Sequence, residues 1–246
     1  MILQVKYQGV CSSHGKLDGG KMVDFFGNGL CIHCHLAKNE LIEFLAFNDK
    51  TEEAWRAKDV DLQEELEGIF KRYPEDKHAD IIDSYAWDLH LNQSKYPALH
   101  RASLLITLFS FLEHQLNFLA EIMYESVGSD LKLNDINGRG IERAFLFLTK
   151  VAGVDLSSFG GEIPFIKGVN LVRNVVVHSG GVLPSDPQAK VNKFISQTAG
   201  LSGVETGYVS IHYDFIPEFI NLLIVFFERL DLEIERHIQN YRPKPD

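Results

Sequence analysis

From Thr51 onward, apolar residues recur every three or four positions, the spacing that lines one face of an α-helix. Thr51-Glu52-Glu53 reads as an N-cap followed by acids in a first turn. Asp61-Leu-Gln-Glu64 has the form of a capping box, and the stretch is expected to end before Pro74. A second helix is predicted from about Lys77 to Asn92, and a third, opened by Pro97, from about Ala98 to Glu125. Further helices are predicted over about Gly140–Val151, Pro164–His178 and Pro217–Asn240. Ser179-Gly180-Gly181 stops the Pro164–His178 helix, and Tyr208–Tyr213 alternates as a short strand does.

The first 45 residues hold no helical period for long. They contain six glycines, with turns at Asp18-Gly19-Gly20 and Gly27-Asn28-Gly29 and short strands predicted at Val5–Tyr7 and Met22–Phe26. The expected organisation is an irregular segment over 1–45 followed by a helical domain over 46–246, with the fold class all-α. Two of the helices are unusually apolar. In the third, polar side chains fill only an arc holding Ser103, Thr107, Ser110, His114, Asn117 and Glu121. Such a helix belongs at the centre of a bundle or at a subunit interface. The last helix, with Phe219, Leu222, Leu223, Val225, Phe226, Phe227 and Leu230, suits a position between layers.

Charge narrows the function classes. With 24 Lys and Arg against 34 Asp and Glu, the formal charge is −10, which excludes a surface basic all over for nucleic acid but leaves room for a local basic site. Forty-five per cent hydrophobic residues suffice for a core without metal or disulfides, and three cysteines do not make a secreted disulfide framework. The N-terminus MILQVKYQGVC lacks the pattern of a signal peptide, and no stretch reaches the roughly 18 apolar residues of a spanning helix. A cytoplasmic protein that does not enter a membrane is expected.

The candidate chemistry lies in Ile166–His178. Asn170, Asn174 and His178 are spaced i, i+4, i+8 and form one polar row, opposite Val169, Val172 and Val176. Arg173 falls toward the buried side, where a guanidinium needs a partner. Glu113, bordering the apolar face of the third helix, is the candidate. Arg and His suit RNA cleavage: His gives and takes protons near neutral pH, and the Arg fork neutralises charge developing on phosphate. The bland reading of the same residues is a structural Arg–Glu pair beside a helix-end histidine.

Arg173-Asn174-Val-Val-Val-His178, together with the helix SFLEHQLN and the segment DINGRGIERAFLFLTKVAGVDL, resembles the HEPN superfamily over about residues 78–237. The resemblance implies an up-and-down helical bundle and a metal-independent endoribonuclease of toxin–antitoxin or anti-phage defence type. It also implies a homodimer whose shared cleft holds Arg173, Asn174 and His178 of both copies, with Glu113 and Asn170 in support. RNA is the implied substrate, and an antitoxin or defence-system protein the implied partner. The alternative within the family is a non-catalytic dimerisation or sensing module that binds RNA, nucleotide or protein. Gly180 stands where some relatives carry a modified tyrosine, so that mode of neutralisation is not expected.

Two weaker constellations remain. Cys11-x2-His14 and Cys31-x2-Cys34 have the ligand types of a zinc knuckle pair, although His35 replaces the glycine that usually follows the second ligand. The ribonuclease reading itself needs no cofactor. Gly138-Arg139-Gly140-Ile-Glu-Arg143 offers free amides and two arginines to an RNA phosphate at a helix start, or is a solvated turn.

Overall fold

A computed structural model describes Phe25, residues 27–127 and residues 129–240. The predicted strand Val5–Tyr7, the predicted strand Met22–Phe26 apart from Phe25, and Cys11 and His14 lie outside the described residues. The protein is all-α. Its helices are α1 (His33–Phe70), α2 (His78–His90), α3 (Tyr96–Val127), α4 (Gly140–Lys150), α5 (Glu162–Ser179), α6 (Lys190–Gln197) and α7 (Phe215–Asn240). Two strands, β1 (Leu201–Ser202) and β2 (Ser210–Ile211), pair antiparallel with Leu201 opposite Ile211. No helix among the described residues is long and apolar enough to cross a membrane.

α1 differs from expectation. It begins at His33, inside the segment read as irregular, and runs without a break past Thr51. Thr51 caps nothing; its hydroxyl donates to the Phe47 carbonyl one turn back, 2.9 Å away. The buried stripe reads Cys34, Ala37, Leu41, Asn48, Glu52, Leu62 and Leu66, a helical spacing. Two of its members are polar, which hides the period from a hydrophobicity pattern. Asn28 secures the approach: its Oδ1 accepts from the Leu30 amide at 3.1 Å, and its Nδ2 donates to Ser126 Oγ at 2.7 Å.

α2 also continues where the sequence predicts a break. It passes into α3 through a widened π-turn, Leu91–Lys95. Pro97 supplies the cause: it has no N–H for the preceding turn, and its ring displaces the carbonyl that would have accepted. In α3 the expected polar arc faces solvent at Ser103, Thr107, Ser110, His114 and Glu121 and is half-buried at Asn117. Leu105, Leu108, Leu112, Leu116 and Leu119 on its other sides are fully buried.

The chain divides into two compact units, each of discontinuous segments, and α1, α3, α5 and α7 each contribute a stretch to both. Of the described residues, the first unit comprises Phe25, 27–42, 108–127, 129–165 and 221–240. Its core centres on Phe226, whose ring meets Phe145, Phe159 and Phe227 edge-on at centroid distances of 6.1, 5.4 and 5.4 Å. Edge-to-face pairs of this kind add about 0.5–1.5 kcal/mol each to the burial of the rings. Arg229 covers the cluster. It stacks 4.7 Å over Phe159, pairs with Glu162 and donates to the Ser158 carbonyl at 2.6 Å.

The second unit comprises 43–107 and 166–220. Here Glu52 on α1 and Arg101 on α3 form a bidentate ion pair, with Nε–Oε1 at 2.6 Å and Nη2–Oε2 at 2.7 Å. Arg101 Nη1 also donates to the Ile211 carbonyl of β2 at 3.4 Å, so one guanidinium ties two helices to a strand. Gly168 of α5 lies against the Phe194 ring of α6; a Cβ there would stand 2.1 Å from the ring.

Candidate functional site

Within the second unit, Ile166, Val169 and Val172 are buried and set the orientation of α5. Their burial leaves Asn170, Arg173 and Asn174 half-buried and His178 exposed. Arg173 Nη1 donates to Asn174 Oδ1 at 3.0 Å. That bond turns one edge of the guanidinium toward the polar row and leaves the Asn174 amide hydrogens directed elsewhere. Arg173 Nε is fully buried, so the inner part of the side chain is held in the protein while its tip reaches the row.

The helix ends where the motif ends. Gly180 and Gly181 both adopt left-handed backbone, with φ of 59° and 87°, a conformation costly for residues with a Cβ. The Gly181 amide then donates back to the Val175 carbonyl at 3.1 Å, and the Val182 amide to Ser179 at 3.1 Å. The turn places residues 181–183 beside a second stretch of chain. The Val209 amide donates to the Gly181 carbonyl at 2.9 Å, and the Leu183 amide to Gly207 at 2.8 Å. These two bonds flank an isolated antiparallel bridge between Val182 and Tyr208. His178 therefore occupies the last turn of a helix whose end is stitched to an extended segment.

Glu113, Arg139 and Arg143 fall in the first unit. Glu113 sits over the start of α4. Its carboxylate oxygens are 3.3 and 3.4 Å from where a Cβ of Gly140 would stand. Arg139 is exposed at the N-cap of α4 and makes no side-chain cap bond. Arg143 is half-buried, and its Nε has no hydrogen-bond partner among the described residues. A carboxylate at this helix N-terminus already answers its partial positive charge, so a phosphate arriving there would meet Glu113.

Of the proposed zinc ligands, Cys31 and Cys34 are described. Cys31 is buried. Cys34 is a free, buried thiol whose pKa burial drives well up, with Asp231 adding to the effect. Cys34, His35, Lys38, Glu228, Asp231 and Glu235 line a cleft of about 460 Å³ in the first unit. The ion pair of Lys38 with Glu228 at 3.1 Å crosses it. Among the described residues no group of three or more His, Cys, Asp or Glu is arranged to hold a metal ion.

Sequence reasoning missed the Glu52–Arg101 pair and the partners of the strand read over Tyr208–Tyr213, where Ser210–Ile211 pairs with Leu201–Ser202 and Tyr208 bridges Val182. Glu52 carried a signal, since an acid in register with Leu41 and Leu62 on one helix face must find a partner. No family model, no curated protein and no solved structure matches this chain.

Proposed function

We propose that the chain is a metal-independent endoribonuclease of the HEPN type that acts as a homodimer. The observation that carries the reading is the row on α5: a half-buried Arg173, its fork engaged by Asn174, one turn before an exposed His178 at the helix end. An arginine held by its inner atoms meets a phosphate with little further loss of side-chain entropy. A histidine at the surface can exchange protons with a substrate.

In the proposed reaction the 2′-OH of one nucleotide attacks the adjacent phosphorus. A base takes the 2′-OH proton, the bond from phosphorus to the 5′-oxygen breaks, and an acid protonates that oxygen. Arg173 offsets the charge that develops on the non-bridging oxygens. Asn174 fixes Arg173, and Asn170 extends the polar row by one turn. Because the nucleophile belongs to the substrate, no metal-bound water is needed. Two histidines from two copies supply the base and the acid. The products are a 2′,3′-cyclic phosphate and a 5′-hydroxyl.

The test is purified protein with total RNA, with and without chelator. Cleavage is expected in both, and His178→Ala and Arg173→Ala are each expected to abolish it while light scattering still shows a folded dimer. Mixed His178→Ala and Arg173→Ala subunits regain some activity if one intact copy of each residue suffices, and none if both histidines are required. Full cleavage by His178→Ala overturns the proposal. The formal charge of −10 favours a second reading, a non-catalytic HEPN-type module that binds RNA or a protein; binding without cleavage would identify it.

A further inference from the structure

The stitched segment beside His178 carries a feature that the ribonuclease reading does not use. In the antiparallel bridge of Val182 with Tyr208, the flanking bonds run from Leu183 to Gly207 and from Val209 to Gly181. This is the narrow, non-hydrogen-bonded type of pair, in which the two side chains lie on one face and close together. Both face solvent: Val182 is 47% and Tyr208 59% exposed. Among the described residues the Tyr208 ring stacks on no other ring. The backbone that presents it is firmly placed. Gly203 approaches the Tyr208 carbonyl so closely that a Cβ on it would stand 1.8 Å from that oxygen.

The connection to the motif is short and runs through backbone hydrogen bonds. Val209 bonds to Gly181, and Gly181 bonds to Val175 in the last turn but one of α5. Val175 and His178 are three residues apart on that helix and share a side of it. Tyr208 is thus held at the end of α5 where His178 sits.

We propose that Tyr208, backed by Val182, is a base-stacking platform for single-stranded RNA whose phosphate is engaged by the Arg173–His178 row; the inference rests on the ribonuclease reading. The chemistry of the face selects this occupant. A rigid exposed aromatic ring accepts any nucleobase on its π-face and is the usual device for splayed single strands. The bridge itself exposes one ring and one valine, and Thr206, Ser210 and His212 along the same stretch are exposed polar residues. That matches one base and is too small for the buried core of a protein interface. Glu205, exposed in the adjoining turn, disfavours phosphate on this face but not a neutral base, so the RNA backbone is directed toward the helix side and the base toward the ring.

The experiment measures binding apart from cleavage. A 5′-labelled, twelve-nucleotide single-stranded RNA is titrated with the full-length His178→Ala chain and followed by fluorescence anisotropy. Adding Tyr208→Ala is expected to weaken binding about 5- to 150-fold, the range for loss of one base–aromatic stack. Tyr208→Phe and Tyr208→Trp should retain affinity within about two-fold, and Val182→Asp should lower it. An RNA with abasic positions should bind the Tyr208→Ala chain and its parent alike. In the cleaving protein, Tyr208→Ala should raise KM and leave kcat unchanged. Unchanged affinity in Tyr208→Ala, equal loss in Tyr208→Phe, or no RNA binding by the His178→Ala chain overturns the inference. So does loss of a protein partner alone, with RNA affinity intact. His178-dependent cleavage with wild-type KM in Tyr208→Ala overturns the platform and leaves the ribonuclease. Tyr208-dependent binding in a chain that never cleaves does the reverse.

Discussion

Removing Glu52 should destabilise the second unit more than its position in an acid-rich stretch of α1 suggests. The side chain is 9% exposed and that of Arg101 18%. Both carboxylate oxygens accept from the guanidinium, at 2.6 and 2.7 Å. Glu52→Ala leaves the guanidinium in place with only the 3.4 Å bond to the Ile211 carbonyl. Breaking a buried pair from one side costs about 3–5 kcal/mol, because the surviving charge keeps its desolvation penalty. Arg101 retains some solvent, so the lower end, about 3 kcal/mol, applies. For a urea dependence near 3 kcal/mol/M, the unfolding midpoint should fall by about 1 M. The effect should reach β2 first: exchange of the His212 amide, bonded to the Gly200 carbonyl at 2.9 Å, should accelerate. Glu52→Leu combined with Arg101→Met removes both charges and should recover most of the loss. A midpoint shift smaller than about 0.3 M in Glu52→Ala, or a double variant less stable than the single one, would refute the reasoning.

Two further outcomes follow from burial and backbone geometry. His33, His100 and His237 are each shifted below the usual 6.5, in every case chiefly by burial. For His33 the Gln115 carbonyl opposes the shift, and for His100 Glu52 opposes it while Arg101 adds to it. The unfolded chain therefore binds protons that the folded chain refuses. The stability is complete above 6.5 and is lost as pH falls from there toward the lowered values, with a slope of at most about 1.4 kcal/mol per pH unit for each histidine. Urea midpoints at pH 7.5 and 5.5 check this; equal midpoints contradict it. Gly203→Ala forces a Cβ to within 1.8 Å of the Tyr208 carbonyl at φ 109°. It should cost at least about 1–3 kcal/mol and lower Tm by several degrees; an unchanged melting curve would show that this close approach is absent in solution.

Most helices were legible in the chain, each for a local reason. α4, α5 and α7 fall within about two residues of their expected limits, because glycine or proline lies at or near the ends that the sequence marked. The end of α5 is the clearest case: two consecutive glycines take left-handed φ, so it stops there in any surroundings. The polar arc of α3 was legible because hydrophobic burial acts on each helix separately. α6 was not. Its eight residues bury Val191, Asn192 and Ile195, and Asn192 earns its burial from donor bonds to the carbonyls of Pro184 and Asp186 at 2.8 and 2.7 Å. Val191, Phe194 and Ile195 keep the i, i+3, i+4 spacing of a helix face, but over eight residues that spacing is too short to mark a helix by itself.

The candidate site divides along the same line. The sequence by itself determined that Asn170, Asn174 and His178 share a helix face, that Arg173 stands beside them, and that the helix stops after His178. These are consequences of 3.6-residue periodicity and of glycine, both local. Tertiary structure alone decided that Glu113 lies over Gly140, that Glu52 and Arg101 are the buried ion pair of the second unit, and that Tyr208 is stitched to the end of α5. A polar side chain is buried only where another part of the chain supplies its partner, and a two-residue bridge forms only where two backbones already run side by side. Neither condition is recorded in the spacing of residues along one segment; both come into being when segments distant in sequence pack together.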